Sequence, residues 1–245
     1  MDSRDRFTGA ARPYGAHRPS FPPALIEWIL ARTGITVPAR IADIGSGTGV
    51  ATRLWSERGF DVVGVEPNEA MLAVARASTN APCRPGEADS TGLPDHAFEL
   101  VTAAQSFHYF ELDATLREWR RILVPGGACA VFWYRILSSS VKSAFRELRS
   151  RYGAPPTRYA TRKRDIIATL GRRAELREIE GAVFPYEQKL DRDGWRGRLL
   201  ASSRLNLAHG NAELDREADA VFDRHQEQGW LQVPLEATGV TWRFR

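Results

Sequence analysis

The stretch Ile41-Ala42-Asp43-Ile44-Gly45-Ser46-Gly47-Thr48-Gly49-Val50 constrains this chain more than any other segment. An apolar run carrying one acid ends in a turn with glycine at every second position. A helix-like segment, Ala51 to Arg58, follows. Glycines let the backbone pass close beneath a ligand because no Cβ intervenes. The N–H groups that open the following helix face whatever lies above the turn. Such a turn belongs at the carboxyl end of the first strand of an open α/β sheet, and its ligand is of the nucleotide type.

Spacing separates one nucleotide from another. A dinucleotide turn reads G-x-G-x-x-G because a pyrophosphate lies across the helix start. Here the third glycine arrives one residue early, at Gly49, and Val50 stands where that motif wants Gly or Ala. Asp43 would also sit badly beside a pyrophosphate, whereas it suits a ligand whose near end is positive. A second apolar run, Asp61-Val62-Val63-Gly64-Val65, ends in Glu66, about 20 residues further on, where nucleotide folds place a ribose-binding carboxylate. Pro67-Asn68 ends that strand, and Asn68 is placed to cap a helix carrying Met71 to Ala75. Further on come Gly86-Glu87-Ala88-Asp89, the buried-strand pattern Phe98 to Ala104, and Gln105-Ser106-Phe107-His108-Tyr109-Phe110. Arg121 to Gly127 then ends a helix and turns into a strand from Ala128 to Tyr134.

In order and spacing these segments resemble the class I S-adenosylmethionine-dependent methyltransferases, in the small-molecule branch called methyltransferase type 11, over roughly residues 7 to 134. The resemblance implies a Rossmann-like, mostly parallel seven-stranded sheet with helices on both faces and a cap over the cofactor. It implies that Asp43, Gly45, Gly47 and Gly49, with Ser46 and Thr48 between them, lie beneath the methionine part of S-adenosylmethionine. Glu66 would hold the ribose beside Pro67, Met71 would pack on the adenine, and Ala88-Asp89 would bond its edge. Gln105 would lie near the methionine end, with Phe107-His108 at a mouth facing substrate. Ser46 stands where this motif usually has cysteine.

Tyr14-Gly15-Ala16-His17-Arg18-Pro19-Ser20-Phe21-Pro22 resembles the arm that closes over the cofactor in trans-aconitate-methyltransferase-like proteins. His17 replaces an aromatic residue there, and Phe21 lacks a hydroxyl. Methyl transfer is an in-line displacement on an activated leaving group, so alignment and exclusion of water are the main demands. A base helps only when the acceptor must lose a proton early. His108 is the first candidate, or else a neutral histidine packing on cofactor or substrate. His17, with an unperturbed pKa near ~6.5, is either a second base or a solvated loop residue. Tyr14 would orient substrate or donate near the methyl, and Arg18 would pair with the cofactor carboxylate or lie on the surface.

Length and composition narrow the alternatives. A chain of 245 residues fits one domain with a substantial core. It divides into an arm and cap helix (1–36), a cofactor-binding core (37–135) and cap insertions with the last strands (136–245). Beyond the core, helices are expected at Val141 to Tyr152, Asp165 to Leu170, Trp195 to Leu207 and Asp215 to Gln228. Strand material is expected at Leu176 to Tyr186 and Leu231 to Phe244. The net charge of +4 comes mostly from arginine, and the patch Arg158 to Arg164 reads as a solvated face with no nucleic-acid motif. Cys83 and Cys129 lie far apart and read as buried thiols. No Cys/His grouping has metal-ligand spacing, so no metal is expected. The charged start without an apolar run, and the lack of any long apolar stretch, predict a soluble cytoplasmic protein without membrane contact.

The expected function is therefore methyl transfer to a small molecule. Trp195, Trp230, Tyr152, Tyr159, Phe184 and Tyr186 each read singly as ordinary core, while as a group they point toward an aromatic, heterocyclic or otherwise flat acceptor. The accepting atom, N, O or C, and the choice between monomer and homodimer stay open. A nicotinamide-dependent oxidoreductase on a similar sheet is disfavoured by Val50 and Asp43. A non-catalytic cofactor-binding protein is the remaining alternative, since fold does not fix reaction.

Overall fold

Hydrophobic runs with no polar alternation mark strands covered on both faces, and four of them form the centre of the structure. The computed structural model describes residues 18–153, 165–202, 205, 208 and 210–245. Strands β1 (Arg40–Ile44), β2 (Asp61–Val65), β3 (Cys83–Arg84), β4 (Phe98–Ala104) and β5 (Leu123–Ile136) run parallel. Two long strands, β6 (Leu176–Leu190) and β7 (Leu231–Phe244), complete a seven-stranded sheet in the order β3-β2-β1-β4-β5-β7-β6. β7 is antiparallel to both of its neighbours. The order reverses between β1 and β4, and a crevice opens there beyond the carboxyl ends of the strands.

Helices cover both faces. α1 (Pro23–Thr33), α2 (Val50–Ser56) and α3 (Glu69–Ser78) alternate with the early strands, and α4 (Leu112–Ile122) leads into β5. α5 (Ser140–Tyr152), α6 (Ile166–Gly171), α7 (Arg192–Leu200) and α8 (Ala212–His225) belong to the second half. One core gathers α1, α2, α5, α7 and α8 around Trp55, Phe132, Phe145 and Trp195. The other lies beneath α4 and α6 and centres on Phe98, Phe107, Trp119 and Trp242. Cys83 and Cys129 are buried thiols. Among the described residues no helix is long and apolar enough to cross a membrane.

Caps explain where the helices begin. Asn68 accepts from Met71 N at 2.9 Å, as the sequence suggested. The expected helix at Trp195 starts earlier, at Arg192, because Asp191 caps it by accepting from Gly194 N at 2.7 Å. Asn211 does the same for α8 and moves its start to Ala212. β5 also opens earlier than expected. Leu123 pairs with Phe98, a register break takes up Val124 to Gly127, and pairing resumes at Ala128 opposite Leu100. Gly126, at φ 80°, makes that break possible.

Trp119 and Trp242 stack with planes 7° apart and ring centroids 5.9 Å apart, both essentially inaccessible to water. Trp119→Ala should lower unfolding free energy by about 3–5 kcal/mol, the range for a buried large aromatic. Urea titration measures it, and a loss below about 1 kcal/mol would mean this face tolerates a cavity.

Candidate functional site

The turn after β1 is shaped by backbone hydrogen bonds to β2. Gly45 N and Ser46 N both donate to Val65 O, at 2.8 and 3.0 Å, which draws the glycine turn over the end of β2. Gly45 sits at φ 65°, where a Cβ would come within 2.6 Å of Ser106 Cβ and 3.0 Å of Phe110. Glycine is required there by conformation and by space. Gly47, at φ 59°, donates its N–H to Glu66 Oε2 at 2.8 Å, and Asn68 N donates to Oε1 at 3.0 Å. Each carboxylate oxygen thus has one backbone donor and keeps lone pairs for another. Burial pushes the Glu66 carboxyl above its usual range, opposed by those two N–H groups.

These residues wall a cavity of about 150 Å³. Gly45, Ser46, Gly47 and Thr48 form one side, Glu66, Pro67 and Met71 another. Arg18, Gln105, Tyr109, Phe110 and Tyr134 close it, and Phe21 packs edge-on against Phe132 at 4.7 Å. Gln105 stands at φ 61°, unusual for a residue with a side chain. Its N–H donates to Phe132 O at 2.9 Å and its Nε2 to Tyr134 O at 3.3 Å, so it is pinned to β5 at both ends. Strain held in this way marks functional positions.

Several expected residues lie elsewhere. Asp43 is buried behind the turn and does not line the cavity; it accepts from Thr52 Oγ1 at 2.7 Å and Thr102 Oγ1 at 3.2 Å. Gly49 faces α3, where a Cβ would press on Ala75 at 3.3 Å, so it serves helix packing. Ala88 and Asp89 occupy the tight turn between Glu87 and Ser90, outside the cavity wall. A 3₁₀ turn, Phe107–Tyr109, carries the next group, with the His108 and Tyr109 ring centroids 4.0 Å apart. Phe107 enters the Trp119–Trp242 cluster, and His108 lines a separate cavity with Asp165, Thr169 and Arg173. Tyr109 alone of the three lines the cavity at the glycine turn. Tyr14 and His17 lie outside the described residues.

A second cavity, about 810 Å³, adjoins the first and shares Arg18, Gln105 and Tyr134 with it. It is bounded by α5 and α7. Among the described residues, none of the six aromatics named from the sequence lines this cavity. Trp195 is core, its Nε1 bonded to Ala218 O, and Phe184 packs on Trp28. Tyr152 bonds Glu217, and Trp230 is exposed. Tyr186 is half-buried on β6, and Tyr159 lies outside the described residues. Sequence reasoning missed Phe21, Tyr109, Phe110 and Tyr134. Tyr134 was accessible through the rule that ligands sit beyond the carboxyl ends of the strands. Among the described residues no group of three His, Cys, Asp or Glu could hold a metal ion.

Residues 42–131 match a family model described as a methyltransferase domain. An uncharacterized methyltransferase of Mycobacterium tuberculosis is 36% identical over 128 residues, 52% of this chain and 51% of that protein. The chain spans about half the length of this and other curated relatives. A solved protein of Anaeromyxobacter dehalogenans, named as a candidate type II methyltransferase, superposes with a TM-score of 0.65 at 23% identity. The match covers 93% of this chain and 97% of that one. Phosphoethanolamine N-methyltransferase 2 of Haemonchus contortus, solved with S-adenosyl-L-methionine, gives 0.53 at 18% identity, over 98% of this chain and 60% of that chain. These two likenesses concern the fold. Residues 42–131 thus carry the pattern of a methyltransferase domain, and the solved structures share the fold around it.

Burial of Asp43 raises its carboxyl to about 6, against the pull of the Thr52 and Thr102 hydroxyls. A raised acid holds its proton longer in the folded state. Stability from this group is therefore highest below about pH 4 and falls as pH rises toward 6, by on the order of 3 kcal/mol. Asp43→Asn should remove that slope. Unfolding titrations of both proteins from pH 4 to 7 read it as the difference between them; parallel curves would show the acid is not perturbed.

Proposed function

We propose that this chain transfers the methyl group of S-adenosylmethionine to a small molecule held in the larger cavity. The supporting observation is the shared wall: Gln105 and Tyr134 face the glycine cradle on one side and the acceptor space on the other. The cradle fits the cofactor. Gly45 lets the turn lie tight against Ser106 and Phe110, Glu66 keeps acceptor capacity for two hydroxyls, and Met71 offers an apolar surface.

When bound, S-adenosylmethionine supplies a sulfonium-activated methyl group. Glu66 holds the ribose, Gly45 to Thr48 support the methionine part, and Met71 packs against the base. Gln105, fixed through β5, orients the boundary between the two ligands. Fixed geometry and a dry, shaped space are what this displacement needs. Among the described residues the acceptor cavity has no Asp, Glu or His in its wall. On this reading alignment is the main demand, and His108, which lines a different cavity, is not the base.

Glu66→Ala should weaken S-adenosylhomocysteine binding by about 1–3 kcal/mol in calorimetry, the scale of hydrogen bonds to a charged group. Unchanged affinity would remove its assignment. His108→Ala should retain turnover, far short of the about 10²–10⁴-fold loss that follows removal of a positioned base. Methyl-labelled cofactor incubated with fractionated small-molecule extracts should give a labelled product of low mass. Label found only in macromolecules, or none anywhere, would refute the proposal.

A further inference from the structure

A buried arginine with no counter-charge points to what the larger cavity holds. Arg198, on α7, is 6% exposed and lines that cavity. Arginine is seldom buried unless paired, because removing a charge from water without a partner is expensive. Among the described residues Arg198 makes no ion pair, and its Nε has no hydrogen-bond partner. Its guanidinium lies over the rings of Tyr134 and Phe145, at 5.7 and 5.6 Å, contacts that hold the group in position without neutralising it. Beside it the Tyr186 hydroxyl is also buried without a partner.

The rest of the wall has the same sign. Lys142, Arg146 and Arg149 project from α5, and Arg18 stands at the boundary with the cofactor cavity. Arg135 is also there, already paired with Glu236. Among the described lining residues there is no carboxylate beside Arg198, Lys142 and Arg146. Low-dielectric walls carrying one sign of charge concentrate the opposite sign in solution. Burial pulls the Arg198 guanidinium below its ordinary value, a penalty that an incoming anion relieves.

We infer that the acceptor is an anionic small molecule, and that Arg198 is the specificity-determining residue that receives its carboxylate or phosphate group. This rests on the methyltransferase reading and narrows its substrate class. The planar guanidinium fork suits the paired oxygens of either group. Tyr134, between Arg198 and the cofactor cavity, sets how far the anion stands from the methyl donor.

The test uses the full chain saturated with S-adenosylhomocysteine and three probes at matched ionic strength: succinate, inorganic phosphate and uncharged erythritol. Calorimetry should show at least one anion binding more tightly than erythritol, and the tighter anion names the group. Arg198→Gln should weaken that anion by about thirtyfold or more, the loss expected when one side of a buried charge pair is removed. Its affinity for S-adenosylhomocysteine should not change. If Arg198→Gln does not fold, the double variant Lys142→Gln/Arg146→Gln, on the outer part of α5, decides through a smaller but clear loss of anion affinity. Erythritol binding as well as the anions, or anion affinity unchanged in the deciding variant, overturns the inference while the methyltransferase reading stands. Failure of the wild-type chain to bind S-adenosylhomocysteine removes both.

Discussion

A buried carboxylate at the reversal of strand order holds the cofactor side together. Asp43, next to last in β1, has both oxygens engaged by threonine hydroxyls, one from α2 and one from β4. Those contacts fix the three elements that meet at the crevice, so the glycine turn leaves β1 at a set angle. From there two N–H groups reach Val65 O, and Gly47 reaches Glu66. A charge that burial disfavours is retained where it sets geometry for a ligand. Natural sites depart from the stability optimum in this way.

Much of the cofactor half was legible in the sequence because its constraints are local. Glycines at positive φ, an acid at a strand end and an asparagine cap each act within a few residues, so spacing alone carries them. The reading erred where a side chain's direction mattered. Phe107 and His108 follow β4 as the motif requires, yet a tight turn sends one into an aromatic core and the other toward α6. Asp43 and Gly49 sit in the motif, but their partners, Thr102 and Ala75, lie far along the chain. Periodicity cannot show which distant residue will fill the space behind a turn.

The second half was legible as elements and opaque as a site. Helix and strand patterns there came out close to their observed bounds, shifted mainly by Asp191 and Asn211 acting as caps. Of the aromatic residues that suggested a flat acceptor, Trp195 and Phe184 were absorbed by core contacts, as large apolar side chains usually are, and Trp230 is exposed. What reached the cavity was charge. Arg198 looks in sequence like one arginine among many, and only packing against Tyr134 and Phe145 distinguishes it from a solvated neighbour.

The two cavities meet at one partition but are drawn from separable stretches of chain. The cradle comes from the turns after β1 and β2, while most of the larger cavity's wall comes from the end of β5 and from helices α5 and α7. Gln105, tied to β5 by its own backbone and amide, is the fixed member between them. A lineage can therefore exchange one or two side chains on α5 or α7 and acquire a new acceptor while the donor half stays intact. Divergence of chemistry in such a protein proceeds by redecorating a wall rather than rebuilding an enzyme.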